Sequence, residues 1–413
     1  MSADQESVSN ARLSFALMLI SNVIWVFGVY LYANFIGLFM REELMANSVQ
    51  VGYWSTVFSL SMMLFVGLGG PLSAKLGEKR TLLLGWIGII PAPIIYMFAN
   101  SWQMALVGAF FEGISALAGA PVGAYITSVS RGSRRGQAFT VLSASSAIGG
   151  IPSPILGGII VSLFGYQTLF FLAAVLFIIS SILILPISSV RKSKSEATYK
   201  RTWNFFKNRV FILLTIFWFS INTLYWITNI FVPLYLYDRF GLVEAQIGVL
   251  GSISNACGAV LGPLMGWVGD NWSYSGALTL PVIGTLGFFG LLVASPSAFF
   301  LPIIYGFSGF IYGLNSLVNA IMSHNIPKGQ LADALSAYYL IGRALTPISP
   351  VIGGLAFSLN AALPLIISSA FLPIPLILLI FVNRASKERR LENEKGAEKE
   401  VPVVLEDIHP PLS

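Results

Sequence analysis

Apolar runs of 18 or more residues recur along this chain from about residue 13 to residue 383. As a helix, each run is long enough to cross a hydrocarbon layer about 30 Å thick. Inside lipid the backbone must satisfy its own hydrogen bonds, which leaves helices or a closed barrel. Long runs without period-two alternation argue for helices. Twelve spans are expected, at roughly 13–40, 49–73, 81–100, 104–129, 137–163, 168–188, 210–237, 246–268, 276–295, 298–323, 335–358 and 362–383. Only 10% of the residues are charged, against about 25% in soluble domains, so a water-facing surface could not be covered.

The second half of the chain echoes the first. Ser153-Pro154, two aliphatics and Gly157-Gly158 return as Ser349-Pro350, two aliphatics and Gly353-Gly354, 196 residues later. Gly70-Pro71-Leu72 and Gly77 return as Gly262-Pro263-Leu264 and Gly269, displaced by 192. Two landmarks at nearly one spacing indicate a duplicated unit. The expected layout is a short tail (1–12), a six-helix bundle (13–188), a basic linker (189–209), a second six-helix bundle (210–383) and a polar tail (384–413). The fold class is an all-α membrane protein of two pseudo-symmetric halves.

An even number of spans puts both termini on one side, and 21 of the 24 Lys and Arg fall there. Basic residues mark the cytoplasmic face, so both termini are expected inside, with the chain multi-pass in the plasma (inner) membrane. Topology accounts for the net charge of +6, so nucleic acid is not an expected partner. The linker carries Trp203, Phe205 and Phe206 among cations and is expected to lie on the inner lipid surface.

Polar residues are spread unevenly. The third, sixth, ninth and twelfth spans carry almost none and read as lipid-facing. The first, fourth, seventh and tenth carry Asn22, Trp25, Tyr30, Glu112, Asn222, Trp226, Tyr312 and Asn315. Polar groups in lipid face a bundle interior or a wet cavity, so these eight are the expected solute-binding set, together with Arg343. Glu112 is the one carboxylate well inside an expected span. A carboxyl out of water can take up and release a proton near neutral pH, which makes Glu112 the candidate for proton coupling. The competing reading is a carboxyl permanently satisfied by its neighbours. Arg343 is the one base inside a span and needs an anion, carbonyls or water. A solute carboxylate or phosphate, Glu112, or snorkelling toward the basic side would each serve. The aromatic residues suit a mid-sized organic solute, and each of them also suits plain packing.

These features resemble the major facilitator superfamily of secondary transporters. Gly70, Leu72, Lys75, Gly77 and Lys79 match the family's loop motif after the second span, with Ala74 where the family has aspartate. Pro154, Gly157 and Gly158 are similar to the fifth-span motif of its proton-coupled exporters, with Ser153 where glycine is usual. Glu112 stands at the polar position of the fourth-span motif, whose arginine is Ala109 here. The resemblance implies two parallel halves around a midplane site lined by the first, fourth, seventh and tenth helices. Gly70, Lys75 and Gly77 would gate or turn. Pro154, Gly157, Gly158, Pro350, Gly353 and Gly354 would pack helices closely, and their recurrence favours symmetric packing between halves over an export signature.

The function expected is alternating-access movement of a small organic solute with protons, export of a drug-like or amphiphilic metabolite standing slightly ahead. Uptake of an organic anion or sugar is the alternative, and a non-transporting receptor is a further one. No phosphate-binding loop for ATP is present, and no nucleophile–base pair or metal cluster points to an enzyme. No cofactor and no metal are expected. The partners are the solute, protons and lipid, around a monomer.

Overall fold

A computed structural model describes residues 3–119, 121–123, 125, 135–187, 204–326 and 330–399. Trp203, most of the linker, Lys328 and the tail after residue 399 lie outside the described residues. No strand occurs among the described residues. Ten helices are apolar and long enough to cross a membrane. One of them, Thr140–Ile184, has 45 residues, about 68 Å at 1.5 Å per residue and twice a bilayer core. Gly165, with φ 80 and ψ 172, breaks it into the fifth and sixth spans. The eleventh span is two shorter helices, Leu331–Ile341 and Ser349–Leu359. The total is twelve spans, as expected.

Local chemistry fixes several ends. The second span (Ser48–Leu76) starts at a capping box. Asn47 accepts from the Gln50 amide at 3.0 Å, and Gln50 accepts from the Asn47 amide at 2.9 Å; each bond satisfies a donor the helix cannot. Gly77 ends that span at φ 92, a conformation costly for any side chain. Lys79 then donates to the Leu185 carbonyl at 2.6 Å, just past the sixth helix, where a cation meets the negative helix end.

The duplication becomes a pseudo-twofold exchange of backbone contacts. A β-carbon at Gly157 would strike the Leu31 carbonyl of the first span; at Gly353 it would strike the Ile227 carbonyl of the seventh (Arg209–Phe240). Between halves, Gly158 lies on the Glu244 carbonyl and Gly354 on the Ser48 carbonyl. Gly248 lies on the Pro154 carbonyl and Gly52 on the Pro350 carbonyl. Every member of each pair stands 196 residues from its counterpart. Swapping the halves returns the same contacts, the signature of a twofold-related interface. Small residues let membrane helices approach to backbone distance, which is what these four inter-half crossings use.

The same helices diverge at their other ends. Gly67 and Gly70 of the second span, and Gly262 and Gly266 of the eighth (Glu244–Asn271), have nothing within 4 Å of an added β-carbon. The halves therefore meet at the end that carries Arg41 and part toward the end that carries Lys75, Lys79 and Arg80.

Three expectations need correction. The third and ninth spans are not wholly lipid-facing, because Trp86 and Ile89 line the large cavity and Thr285, Phe288 and Phe289 a smaller one. Counting amides and charges overlooked a tryptophan whose polar edge is satisfied: the Trp86 indole donates to the Ser180 hydroxyl at 2.5 Å. Phe205 does not lie on the lipid surface; it is 2% exposed, its ring 5.1 Å from that of Phe211. Arg343 is not within a helix. It stands in a seven-residue run of turns between the two halves of the eleventh span.

Candidate functional site: a cavity between the halves

The larger space between the halves has a volume of about 1190 Å³, more than the 300–1,000 Å³ or so typical of small-molecule pockets. It runs from Asn22, Trp25 and Glu112 at mid-depth to Gly70, Pro71, Phe205 and Phe206 at the basic end. Its wall is mostly apolar, with Phe58, Met62, Met63, Val66 and Trp86 among the contributors. Methionine side chains adapt to varied apolar shapes.

Glu112 is the one acidic or basic side chain among the described residues that is fully buried, at 6% exposure. The fourth span places it there: Gly113 lets that helix close on Ser61 of the second span, whose hydroxyl donates to the Phe110 carbonyl at 2.6 Å. Tyr96 donates to the Glu112 carboxylate at 2.9 Å. Tyr96 in turn accepts from the Trp54 indole at 3.1 Å. Among the described residues no counter-charge stands at the side of this buried carboxyl, whose polar neighbours are neutral.

Arg343 lines the same cavity, yet no ion pair joins it to Glu112 among the described residues. Its Nη1 meets the Met62 sulfur at 3.7 Å, and its Nε is buried without a partner. Asn22 donates to the hydroxyls of Ser145 and Ser146, both at 2.9 Å. Trp25 stands against Trp86, ring centres 5.3 Å apart, with its indole nitrogen buried and unpartnered.

The remaining candidates separate from these four. Tyr30 and Tyr312 line a second, smaller chamber. Asn222 donates to the Trp218 carbonyl of its own helix at 3.0 Å, and Trp226 packs 6.2 Å from Phe58; neither lines either cavity. Asn315 is exposed and lines neither. The first, fourth, seventh and tenth spans thus do not share one compartment. The first, second, third, fourth and eleventh enclose the large cavity, while the seventh and tenth contribute to the small one.

Of the gating and packing candidates, Gly157, Gly158, Gly353 and Gly354 make the close crossings described above, and Pro154 and Pro350 lend carbonyls to them. Gly77 makes the turn, Gly70 faces open space, and Lys75 is exposed. Residues overlooked in the sequence complete the closed end. Arg41 meets Asp238 at 2.9 Å and lies 5.0 Å over the Tyr237 ring. Tyr166 donates to Glu244 at 3.0 Å, and Thr56 to the Pro347 carbonyl at 2.5 Å. All three bridge the halves. Exposed ion pairs of the Arg41 type contribute only about 0.2–1 kcal/mol each, so this pair adds little to the closure beside the backbone crossings at the glycines.

Comparisons with known proteins agree with this architecture. The family model described as Major Facilitator Superfamily matches residues 18–350. The chain is 24% identical over 356 residues to the tetracycline resistance protein, class B, of Escherichia coli, covering 79% of this chain and 82% of that one. It is 26% identical over 358 residues to the multidrug resistance protein MdtG of Proteus mirabilis, 81% of each chain. A match to the uncharacterized transporter BU466 of Buchnera aphidicola, 25% identical over 226 residues, takes in 53% of this chain but only 55% of that relative's length. Among solved structures, a mutant form of the nucleoside transporter NupG superposes with a TM-score of 0.72 at 14% identity, over 90% of this chain and 99% of NupG. With its family model matched over most of its length and its twelve helices folded the same way, the chain belongs to the Major Facilitator Superfamily of secondary transporters.

Proposed function

We propose that this transporter couples the movement of an amphiphilic organic solute to protons, with Glu112 as the proton-carrying group, and that it exports that solute. The observation that carries the reading is the position of Glu112: the single fully buried acidic or basic side chain among the described residues, on the wall of a large apolar cavity, with Tyr96 as its hydrogen-bond donor. A group so placed can take up a proton when the cavity opens outward and release it to cavity water in the inward-open state, the direction of proton flow that drives export. Export rather than uptake is supported by the apolar wall, which suits a lipophilic solute, and by relatives that bear the names tetracycline and multidrug resistance protein. The basic end would face the cytoplasm, so the conformation seen here would be open inward and closed outward, with residues 13–188 and 210–383 as the moving bundles. Flux of a lipophilic dye such as ethidium from proteoliposomes under an imposed pH gradient tests the reading. Gradient-dependent accumulation supports it, and dye movement indifferent to the gradient contradicts it.

A second reading, transport of an organic anion, is favoured by one feature, the unpartnered Nε of Arg343 on the cavity wall. A charge-assisted hydrogen bond contributes about 1.5–3 kcal/mol. Arg343→Ala is therefore expected to weaken an anionic ligand about 10-fold or more while leaving its uncharged ester unchanged, as measured by calorimetric titration. Equal losses for both would reject an anion anchor.

A further inference from the structure

The second chamber, about 300 Å³ in volume, lies against the closed end and is bounded by both halves. The first span contributes Tyr30, Ala33 and Asn34, and the second half contributes the rest, including Tyr225, Asn229, Tyr305 and Tyr312. Among the described residues, no acidic or basic side chain lines it. Its polar lining is instead neutral hydroxyls and amides, set among aromatic rings.

Part of that lining is committed to the protein. Tyr312 donates to the Asn255 side chain at 2.8 Å, and Asn255 donates to the Gly150 carbonyl of the other half at 2.7 Å. Ser308 donates to Ser254 at 2.6 Å. Four side chains are uncommitted: Asn34, Tyr225, Asn229 and Tyr305 have no side-chain hydrogen bond among the described residues. Tyr305 is 7% exposed, held edge-on against Phe288 at 5.1 Å, and it lines the chamber. A tyrosine more than nine-tenths buried with an unpartnered hydroxyl is costly unless something fills the space before it.

The chemistry of the four groups selects the occupant. A tyrosine hydroxyl and a primary amide each both donate and accept. Ligand hydroxyls, which also do both, can satisfy all four groups at once. A carboxylate or phosphate, which only accepts, would have no cation to meet, and an ammonium, which only donates, no anion. The tyrosine and phenylalanine rings offer apolar surface to the C–H face of a saturated ring. The volume is at the small end of the range for ligand pockets, about 300–1,000 Å³, suited to a single ring.

From this we infer that the chamber is a binding site for a neutral, polyhydroxylated ring such as a monosaccharide or its glycoside. The site is separate from the large cavity, which shares none of its lining residues. The inference rests on the transporter reading in one respect: the chamber's walls come from both halves, so their separation would open and dismantle it.

Thermal stability of the detergent-purified full chain, titrated with methyl β-glucoside, glucuronate, glucosamine and tetramethylammonium, tests it. Methyl β-glucoside is expected to raise the melting temperature at millimolar concentrations, and the charged probes to need at least tenfold more. Tyr305→Phe, which removes one oxygen and keeps the ring, should weaken the glucoside at least tenfold without lowering the unliganded melting temperature. Asn229→Ala should do likewise, so that the result does not hang on a single variant. Three outcomes would overturn the proposal: no shift with the glucoside, a shift indifferent to both variants, or stronger stabilisation by tetramethylammonium, which would make the chamber an aromatic cage for cations. Ethidium flux in proteoliposomes, run in parallel, judges the transporter reading by itself. Flux with no glucoside binding would defeat the chamber proposal and leave that reading standing.

Discussion

Glu112→Gln is expected to abolish accumulation driven by a pH gradient while sparing solute exchange. One pH unit corresponds to 1.36 kcal/mol per proton. With one proton moved per solute, a one-unit gradient sustains about tenfold accumulation in the wild type; the variant should sustain none. Glutamine has nearly the same shape, and its amide oxygen can still accept from Tyr96, which donates at 2.9 Å to the native carboxylate. The variant therefore removes the titratable proton and leaves the local packing in place. Counterflow of labelled dye against unlabelled dye needs no net proton movement and should continue. Measured side by side in proteoliposomes, the two assays separate coupling from folding. Gradient-driven accumulation that persists in the variant would reject Glu112 as the proton carrier. Loss of both activities would assign it a structural or solute-binding role.

Gly354→Ala is expected to shift the resting conformation away from the one described. A β-carbon at 354 would lie 2.6 Å from the Ser48 carbonyl oxygen and 2.9 Å from the Val49 α-carbon, both backbone atoms that cannot rotate aside. Overpacking of a close contact costs about 1–3 kcal/mol, an equilibrium shift of about 5- to 150-fold. The strain exists only while the two halves touch, so it favours the state in which they have separated there. Cysteine placed at Ser252, in the twofold-related crossing of the fifth and eighth spans where its hydroxyl accepts from the Ile155 amide of the other half at 3.1 Å, reports on the same parting of the halves in a Cys257→Ser background. Its modification by an impermeant maleimide should accelerate by a factor in that range in the Gly354→Ala protein. An unchanged rate would mean that the crossing tolerates a methyl and does not hold the end closed.

The fold was legible because lipid imposes a coarse rule: a span must be about 20 apolar residues, and this chain obeys it. The 196-residue offset between Pro154 and Pro350 pointed to the contacts that now appear as exchanged pairs. The site was legible only in part. Glu112 and Arg343 stood out because charge inside a span is costly, and both line the large cavity. Met62, Met63 and Trp86 gave no signal, since an apolar side chain facing an apolar cavity reads the same as one facing lipid. Tyr96, the donor to Glu112, comes from the third span, which seemed empty of polarity because tyrosine was not counted there. The division into two chambers was also hidden. It depends on which way each helix face turns, and polar residues such as Tyr30 and Asn22 share a helix yet line different spaces. The unwinding around Arg343 was marked by Gly342 and Pro347, but its extent was not: the matching break in the fifth span is only Ile151–Pro152, whereas here seven residues leave the helix.

Two rocking halves would move their opposite ends in opposite senses. Spin labels at exposed Met45 and Leu359 bracket the closed end, and labels at exposed Lys75 and Asn271 bracket the open one. Pulsed electron–electron distances in lipid nanodiscs, taken at rest and in the Gly354→Ala protein, should change reciprocally, the first pair moving apart as the second draws together. Distances that stay fixed in both pairs, or that lengthen together, would contradict a transporter built from two bundles that swing about a central compartment.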